Sequence, residues 1–194
     1  LGDRTRRGAG LLAWGRCGLM AGVTKQSLSA GATKDMAAAY QTIGWNADAA
    51  VIEALACVQP TEDLAAIQAV VQTIYLPWID EAARHLQSQV DAAAYPGGFA
   101  ANQPRMETHS GECIVFVDGL RFDLAKSLEA LLRHKGFTVE LESAWAALPS
   151  VTATAKPAVT PVRYLIRGQD VNADFEPSRM RSRLSDGDSP ILSW

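Results

Sequence analysis

The sequence lacks any uncharged apolar run of 18 or more residues, so a transmembrane helix of ordinary length is excluded. Its 194 residues include only three cysteines, which are widely separated and form no Cys-x-x-Cys pair. A disulfide framework is therefore excluded, and we expect reduced thiols in a cytoplasmic protein that has no membrane partner. The net charge of −3 does not favour a globally basic nucleic-acid-binding protein.

The composition is that of a globular protein, with 48% hydrophobic and 20% charged residues. Charge is distributed unevenly along the chain. Residues 1–35 contain six basic and two acidic residues, a net +4, whereas residues 36–110 contain two arginines and eight acids, a net −6. Glycines interrupt the short apolar run near the start, so residues 1–35 are predicted to be a leader of uncertain order rather than a signal peptide.

Residues 36–93 are predicted to be helical, because apolar residues recur in them at helical spacing. The sequence Pro-Thr-Glu-Asp at 60–63 is a helix start signal, with a hydroxyl followed by acids in the first turn. Pro77 is expected to end that helix and to open the next. The simplest interpretation of the apolar residues on one face of each helix is that they pack in the core. Residues 94–112 are rich in glycine and turn-forming residues and are predicted to be a linker.

The apolar period changes after the linker. Residues 113–117 form a continuous apolar run before Asp118 and Gly119, the pattern of a strand in a parallel sheet. Leucines at helical spacing then predict a helix that ends at Gly136, and alternating apolar residues at 137–141 predict a second strand. The expected fold class is therefore α/β, with a helical N-terminal region followed by a β-α-β unit.

Three residues near the predicted strand ends could carry chemistry, because ligands bind at the carboxyl ends of strands in open α/β sheets. Asp118 could be a metal ligand, a nucleophile or a general base, or could only cap the helix that follows. Arg121 at a helix N-terminus opposes the helix dipole, which favours a position facing an anion. Thr152 follows the second strand; its hydroxyl needs a base or a metal to become a nucleophile, and otherwise it is a turn or capping residue.

Two motifs and the spacing between them resemble the start of the PglZ domain, a family of the alkaline phosphatase superfamily. They are Phe-Val-Asp-Gly-Leu-Arg-Phe-Asp at 116–123 and Leu-Pro-Ser-Val-Thr-Ala-Thr-Ala-Lys-Pro at 148–157. Tyr-Leu-Pro-Trp at 75–78 is similar to the helical region ahead of the catalytic domain in PglZ proteins of BREX-type phage-defence systems. The resemblance covers about residues 40–162.

The resemblance implies a metal-dependent phosphatase or phosphodiesterase that acts in antiviral defence. Asp118 matches the first metal-ligand aspartate, and Thr152 matches the nucleophile, which also contacts metal. The implied cofactor is a pair of divalent ions, usually zinc. Arg121 and Lys156 are candidate phosphate contacts. A phosphoester or nucleic acid is the implied substrate, and other defence-system proteins are possible partners. Residues 113–194 would then be the first, incomplete part of an alkaline-phosphatase-like sheet.

The remaining metal ligands of such a site are not evident. Four aspartates but no histidine follow Thr152, whereas a two-metal centre needs several Asp and His ligands. We therefore expect the chain to be an N-terminal fragment of a larger enzyme. The alternative is a non-catalytic helical interaction module or scaffold. A hydrolase with an aspartate nucleophile is disfavoured, because position 120 is Leu rather than the second Asp that such phosphatases use.

The fragment hypothesis predicts that the 194-residue chain does not hydrolyse a chromogenic phosphodiester in the presence of zinc. The physical reason is that a nucleophile and one ligand cannot hold two metal ions. The measurement is the rate of chromophore release. Robust turnover that Thr152→Ala abolishes would contradict the hypothesis.

Overall fold

A computed structural model describes residues 2–58, 61–97, 110–115, 117, 119–148, 150–160, 166–167 and 178–179. The chain divides into two compact units. The first, called here the helical unit, comprises residues 1–94 and 120–142, and the second comprises residues 95–119 and 143–194. The helices of the helical unit are α1 (Gly2–Val23), α2 (Thr33–Ala39), α3 (Trp45–Cys57), α4 (Thr61–Val70), α5 (Leu76–Ala92) and α6 (Phe122–His134). The second unit contains α7 (Thr152–Val159), β1 (Ile166–Arg167) and β2 (Ser178–Arg179).

The predicted α/β fold is wrong for the described residues, which are mainly helical and contain no β-α-β unit. Residues 113–115 and 117 of the predicted first strand, and residues 137–141 of the second, have no regular secondary structure. The described strands β1 and β2 are two residues long and pair antiparallel. An apolar run forms a buried strand only where neighbouring strands cover it, and Val115 is 76% exposed. The predicted alkaline-phosphatase-like sheet is likewise not formed by these residues.

Residues 1–35, predicted as a leader, contribute α1 to the core of the helical unit. Small residues let α1 approach α3 closely. Ala13 and Cys17 of α1 are buried, as are three alanines of α3, at positions 47, 50 and 54. These residues recur at intervals of three or four and therefore form one stripe on each helix. Ile52 and Leu55, the larger apolar residues of α3, are 41% and 38% exposed. The face of α3 that is buried is therefore the one with the alanines, because small residues allow the helices to pack closely.

The predicted helices in residues 36–93 are confirmed, and α4 begins at Thr61, within the predicted start signal. Pro77 lies in the first turn of α5, as predicted, but the chain ahead of it does not leave the helical conformation as expected. The backbone stays right-handed helical through Tyr75 and Leu76, because a π-helical turn at Val71–Tyr75 precedes the proline. A wider turn relieves the clash that the proline ring makes with the preceding turn of an α-helix.

Within the described residues, no helix is long and apolar enough to cross a membrane.

Two π-helical turns, Tyr40–Gly44 and Val71–Tyr75, interrupt the helical unit. Both contain the sequence Gln-Thr-Ile. The threonine hydroxyls donate to the carbonyl four residues earlier, over 2.7 Å from Thr42 to Ala38 and 2.7 Å from Thr73 to Ala69. A side-chain bond of this kind competes with the backbone hydrogen bonds of the helix and often bends it. It is a local reason for the π-helical geometry of both turns.

Helix α6 ends as the sequence predicts, at Gly136. Gly136 has φ of 89°, in the left-handed region that favours glycine. Its N–H donates to Arg133 O at 3.0 Å, and the N–H of Phe137 donates to Leu132 O at 3.1 Å. This pair of bonds is the Schellman motif, which satisfies carbonyls at the end of a helix.

Gly136→Ala is expected to destabilise the helical unit by about 1 kcal/mol, because a Cβ is disfavoured at positive φ. Gly18→Ala is the matched control: Gly18 lies within α1, and a Cβ there would meet no atom within 4 Å. It should stabilise by up to about 1 kcal/mol through helix propensity. Urea unfolding followed by circular dichroism measures the change in the free energy of unfolding for both variants. Equal effects of the two substitutions would contradict the assignment of Gly136 as the left-handed residue that closes α6.

Candidate functional site

Thr152, the predicted nucleophile, is the first residue of α7. Val151 before it is extended, with φ of −108° and ψ of 163°, so the chain turns into the helix at the threonine. At the start of α7 the N–H of Ala155 donates to Val151 O at 2.8 Å. The N–H groups of the first turn of a helix in general have no partner within that helix, and such groups together with the helix dipole attract anions.

Lys156 lies four residues after Thr152 in the same helix. Residues at this spacing share a helix face, so α7 carries a hydroxyl residue and a cationic residue on one side. Asp118, the predicted metal ligand, lies outside the described residues. Among the residues that are described, no group of three or more His, Cys, Asp or Glu side chains could hold a metal ion.

Arg121 lies at the start of α6, in the helical unit, whereas Thr152 and Lys156 belong to the second unit. Its guanidinium contacts a carboxylate of its own helix: Nε and Nη2 donate to the two oxygens of Asp123 at 3.0 and 2.7 Å. The Asp123 side chain is fully buried and that of Arg121 is 56% exposed. The hydrogen bonds to Asp123 raise the pKa of Arg121. The anion that Arg121 faces in this structure is therefore Asp123.

A second buried carboxylate, Asp48 of α3, accepts two tyrosine hydroxyls. Tyr75 donates to Oδ1 over 2.5 Å, and Tyr40 donates to Oδ2. Each tyrosine comes from one of the two π-helical turns. Asp48 is 7% exposed, so these bonds offset the cost of removing its charge from water. Sequence reasoning missed this group; the repeated Gln-Thr-Ile and an aspartate within an apolar helix are the signals that could have indicated it.

Burial is the main cause that raises the pKa of both tyrosines, and the hydrogen bond to Asp48 raises it further. The charges of Asp123 and Arg121 also act on both hydroxyls, in opposite directions. These five residues are therefore one polar cluster: Tyr40, Asp48, Tyr75, Arg121 and Asp123. With both carboxylates ionised, two negative charges and one positive charge leave the cluster at −1. Its carboxylate oxygens accept from its own donors, which suits it to joining helices rather than to nucleophilic chemistry.

No family model, curated protein or solved structure matches this chain.

The raised tyrosine pKa values predict that the helical unit loses stability at high pH. In the unfolded chain a tyrosine ionises near pH 10, whereas Tyr40 and Tyr75 stay protonated above that pH in the folded protein. The stabilisation that the two protonated tyrosines give the folded state is complete below about pH 10. It is lost as the pH rises further, towards their pKa values in the folded protein.

Phenolate absorbance during an alkaline titration measures this effect. Tyr40 and Tyr75 should ionise only when the helical unit unfolds, and Tyr75→Phe should reduce the number of late-ionising tyrosines by one. Burial also raises the pKa of Tyr95, so the titration is made in a Tyr95→Phe background. If all tyrosines of the folded wild-type protein ionise near pH 10, the arrangement around Asp48 is wrong.

Proposed function

We propose that this chain carries the nucleophile-bearing part of a metal-dependent phosphoric ester hydrolase of the PglZ kind, which acts in antiviral defence. Thr152 is the proposed nucleophile, and Asp118 is the proposed first metal ligand. The motifs at 116–123 and 148–157 support the assignment. The observation that carries it is the position of Thr152 as the first residue of α7.

This position suits phosphoryl transfer for an electrostatic reason. A phosphoryl group carries negative charge on several oxygens, and the start of a helix offers N–H donors and the positive end of the dipole. The proposal places the hydroxyl of Thr152 next to the phosphorus of an ester bound at this point. Lys156, one turn later, adds a positive charge to the same face of the helix. In this proposal the helix start binds the phosphoryl oxygens, the Thr152 hydroxyl oxygen bonds to phosphorus as the ester P–O bond breaks, and the ester oxygen leaves as an alcohol that carries the proton given up by the threonine.

The described residues do not by themselves complete a two-metal centre, since they contain no cluster of three ligands. We therefore assign no step to a metal. The proposed zinc ions depend on the resemblance, through Asp118, and the proposal requires a base or a metal to activate the weakly nucleophilic hydroxyl of Thr152. Metal binding and phosphate binding can be measured separately, and this separates the two parts of the proposal.

The test is titration of the 194-residue chain with inorganic phosphate, with and without zinc, followed by calorimetry. Thr152→Ala should weaken phosphate binding about tenfold, a typical loss for one hydrogen bond to a charged group, and Thr152→Ser should keep it. Asp118→Asn should remove the zinc dependence. Thr160→Ala makes the same chemical change just after the opposite end of α7, where the dipole repels anions, and should have no effect.

The outcome against the proposal is phosphate binding that is absent from the wild-type chain, or that responds equally to Thr152→Ala and Thr160→Ala. The antiviral role depends on the resemblance alone. It predicts that, in a host protected by a defence system containing this protein, Thr152→Ala restores phage plating. Unchanged protection would argue against a catalytic role for Thr152 in defence.

A second candidate function is a non-catalytic helical interaction module. The observation that favours it is apolar exposure: Leu124, Leu128 and Leu131 of α6 are 40%, 39% and 56% exposed. Such a stripe on a helix surface is typical of a contact with another element. The phosphate titration separates the two candidates, because an interaction module has no reason to bind phosphate at Thr152.

A further inference from the structure

The second unit is built from two stretches of chain, 95–119 and 143–194, which meet near their first residues. The Tyr95 hydroxyl donates to Ala146 O over 2.7 Å, across a sequence separation of 51 residues. The Tyr95 ring lies edge-on to the Trp145 ring, with 5.7 Å between their centroids and an angle of 73° between their planes. These contacts join the start of one stretch to the start of the other.

Gly97 extends this contact through a close approach of backbone. A Cβ at position 97 would lie 2.6 Å from Ala146 O and 2.8 Å from the Cβ of Trp145. Atoms that are not bonded to each other do not come so close, so a side chain at position 97 would push the two stretches apart. The contacts of Tyr95 and Gly97 with Trp145 and Ala146 are called here the clasp. They combine a directional hydrogen bond, an aromatic pair and a close backbone approach.

The clasp lies a short way along the chain from Thr152. Ala147, the residue that follows the clasp, is buried, so the chain is held within the second unit up to this point. Residues 148–151 alone separate it from Thr152. Helix α7 has eight residues, too few for a helix that is stable by itself in water. The start of α7 therefore depends on how the chain enters it, and the clasp holds that entry.

We propose that Tyr95 is a positioning residue for Thr152: the clasp holds the chain ahead of α7 and so fixes the threonine for a phosphoryl group bound at the helix start. This inference rests on the proposed function, since it assumes that phosphate binds at α7. Without the clasp, the free approach to Thr152 would lengthen from residues 148–151 to residues 143–151. Ordering that longer segment would then be a cost of binding.

The test is the calorimetric phosphate titration described above, on the full 194-residue chain with inorganic phosphate as the probe. Tyr95→Phe keeps the ring and removes the hydroxyl, and it should weaken phosphate binding about fivefold, the usual contribution of one hydrogen bond. Gly97→Ala should weaken phosphate binding at least as much, because the new Cβ forces the clasp apart. Ser27→Ala removes a hydroxyl that accepts from the Ser29 N–H in the helical unit. It is the matched control and should leave phosphate binding unchanged.

A double variant separates positioning from a general structural role. If Tyr95 acts through Thr152, Tyr95→Phe should add little to the loss that Thr152→Ala causes, because the hydroxyl that it misplaces is already absent. Hydrogen exchange followed by mass spectrometry is the second readout. In Tyr95→Phe, amide exchange should become faster in residues 143–151 and stay unchanged in α1 to α5.

The outcomes distinguish this inference from the proposed function. Wild-type protein that binds no phosphate overturns the proposed function, and this inference with it. Wild-type binding that Tyr95→Phe leaves unchanged overturns this inference alone. The same conclusion follows if the double variant binds phosphate about fivefold more weakly than Thr152→Ala, since the two losses are then independent and Tyr95 has only a structural role.

Discussion

The helical unit depends on a single buried carboxylate that two distant tyrosines share. Asp48 accepts from Tyr40 and Tyr75, and the three residues come from three separate segments of chain. A charged group in a largely apolar interior is tolerated only when donors surround it. The carboxylate therefore joins the two π-helical turns to α3, since each turn contributes one of the tyrosines.

The small residues of α1 and α3 and the polar cluster are complementary constraints. Alanines and Cys17 allow two helices to approach closely but have little shape to specify a register. Hydrogen bonds are directional, and those of Asp48 specify the arrangement that the alanine stripe permits. Trp78 adds a third fixed point, since its indole N–H donates to Gln26 O at 2.8 Å from a buried position. Apolar packing buries most of the surface between the helices, and these polar contacts fix one relative position of the helices.

The polar cluster and the start of α7 have different chemical roles. In the cluster, Arg121 and both carboxylates are partnered by neighbouring side chains, so their charges hold helices. At the start of α7, by contrast, the relevant donors are the N–H groups of a first helical turn, which a helix in general does not use internally. Arg121, which the motif pattern assigns to an anion, illustrates the difference: its position facing an anion follows from the sequence, but the identity of that anion, Asp123, depends on the fold around it.

The sequence by itself determined the local features: helices in residues 36–93, the start of α4 at Thr61, and the end of α6 at Gly136. These follow from capping chemistry, proline and glycine geometry and apolar spacing, which act within a few residues. Only the tertiary structure decided which face of a helix is buried, that residues 113–115, 117 and 137–141 form no strand, and that Asp48 joins two tyrosines. Each of these depends on which distant segment covers a surface or donates a hydrogen bond, and a local pattern contains no such information.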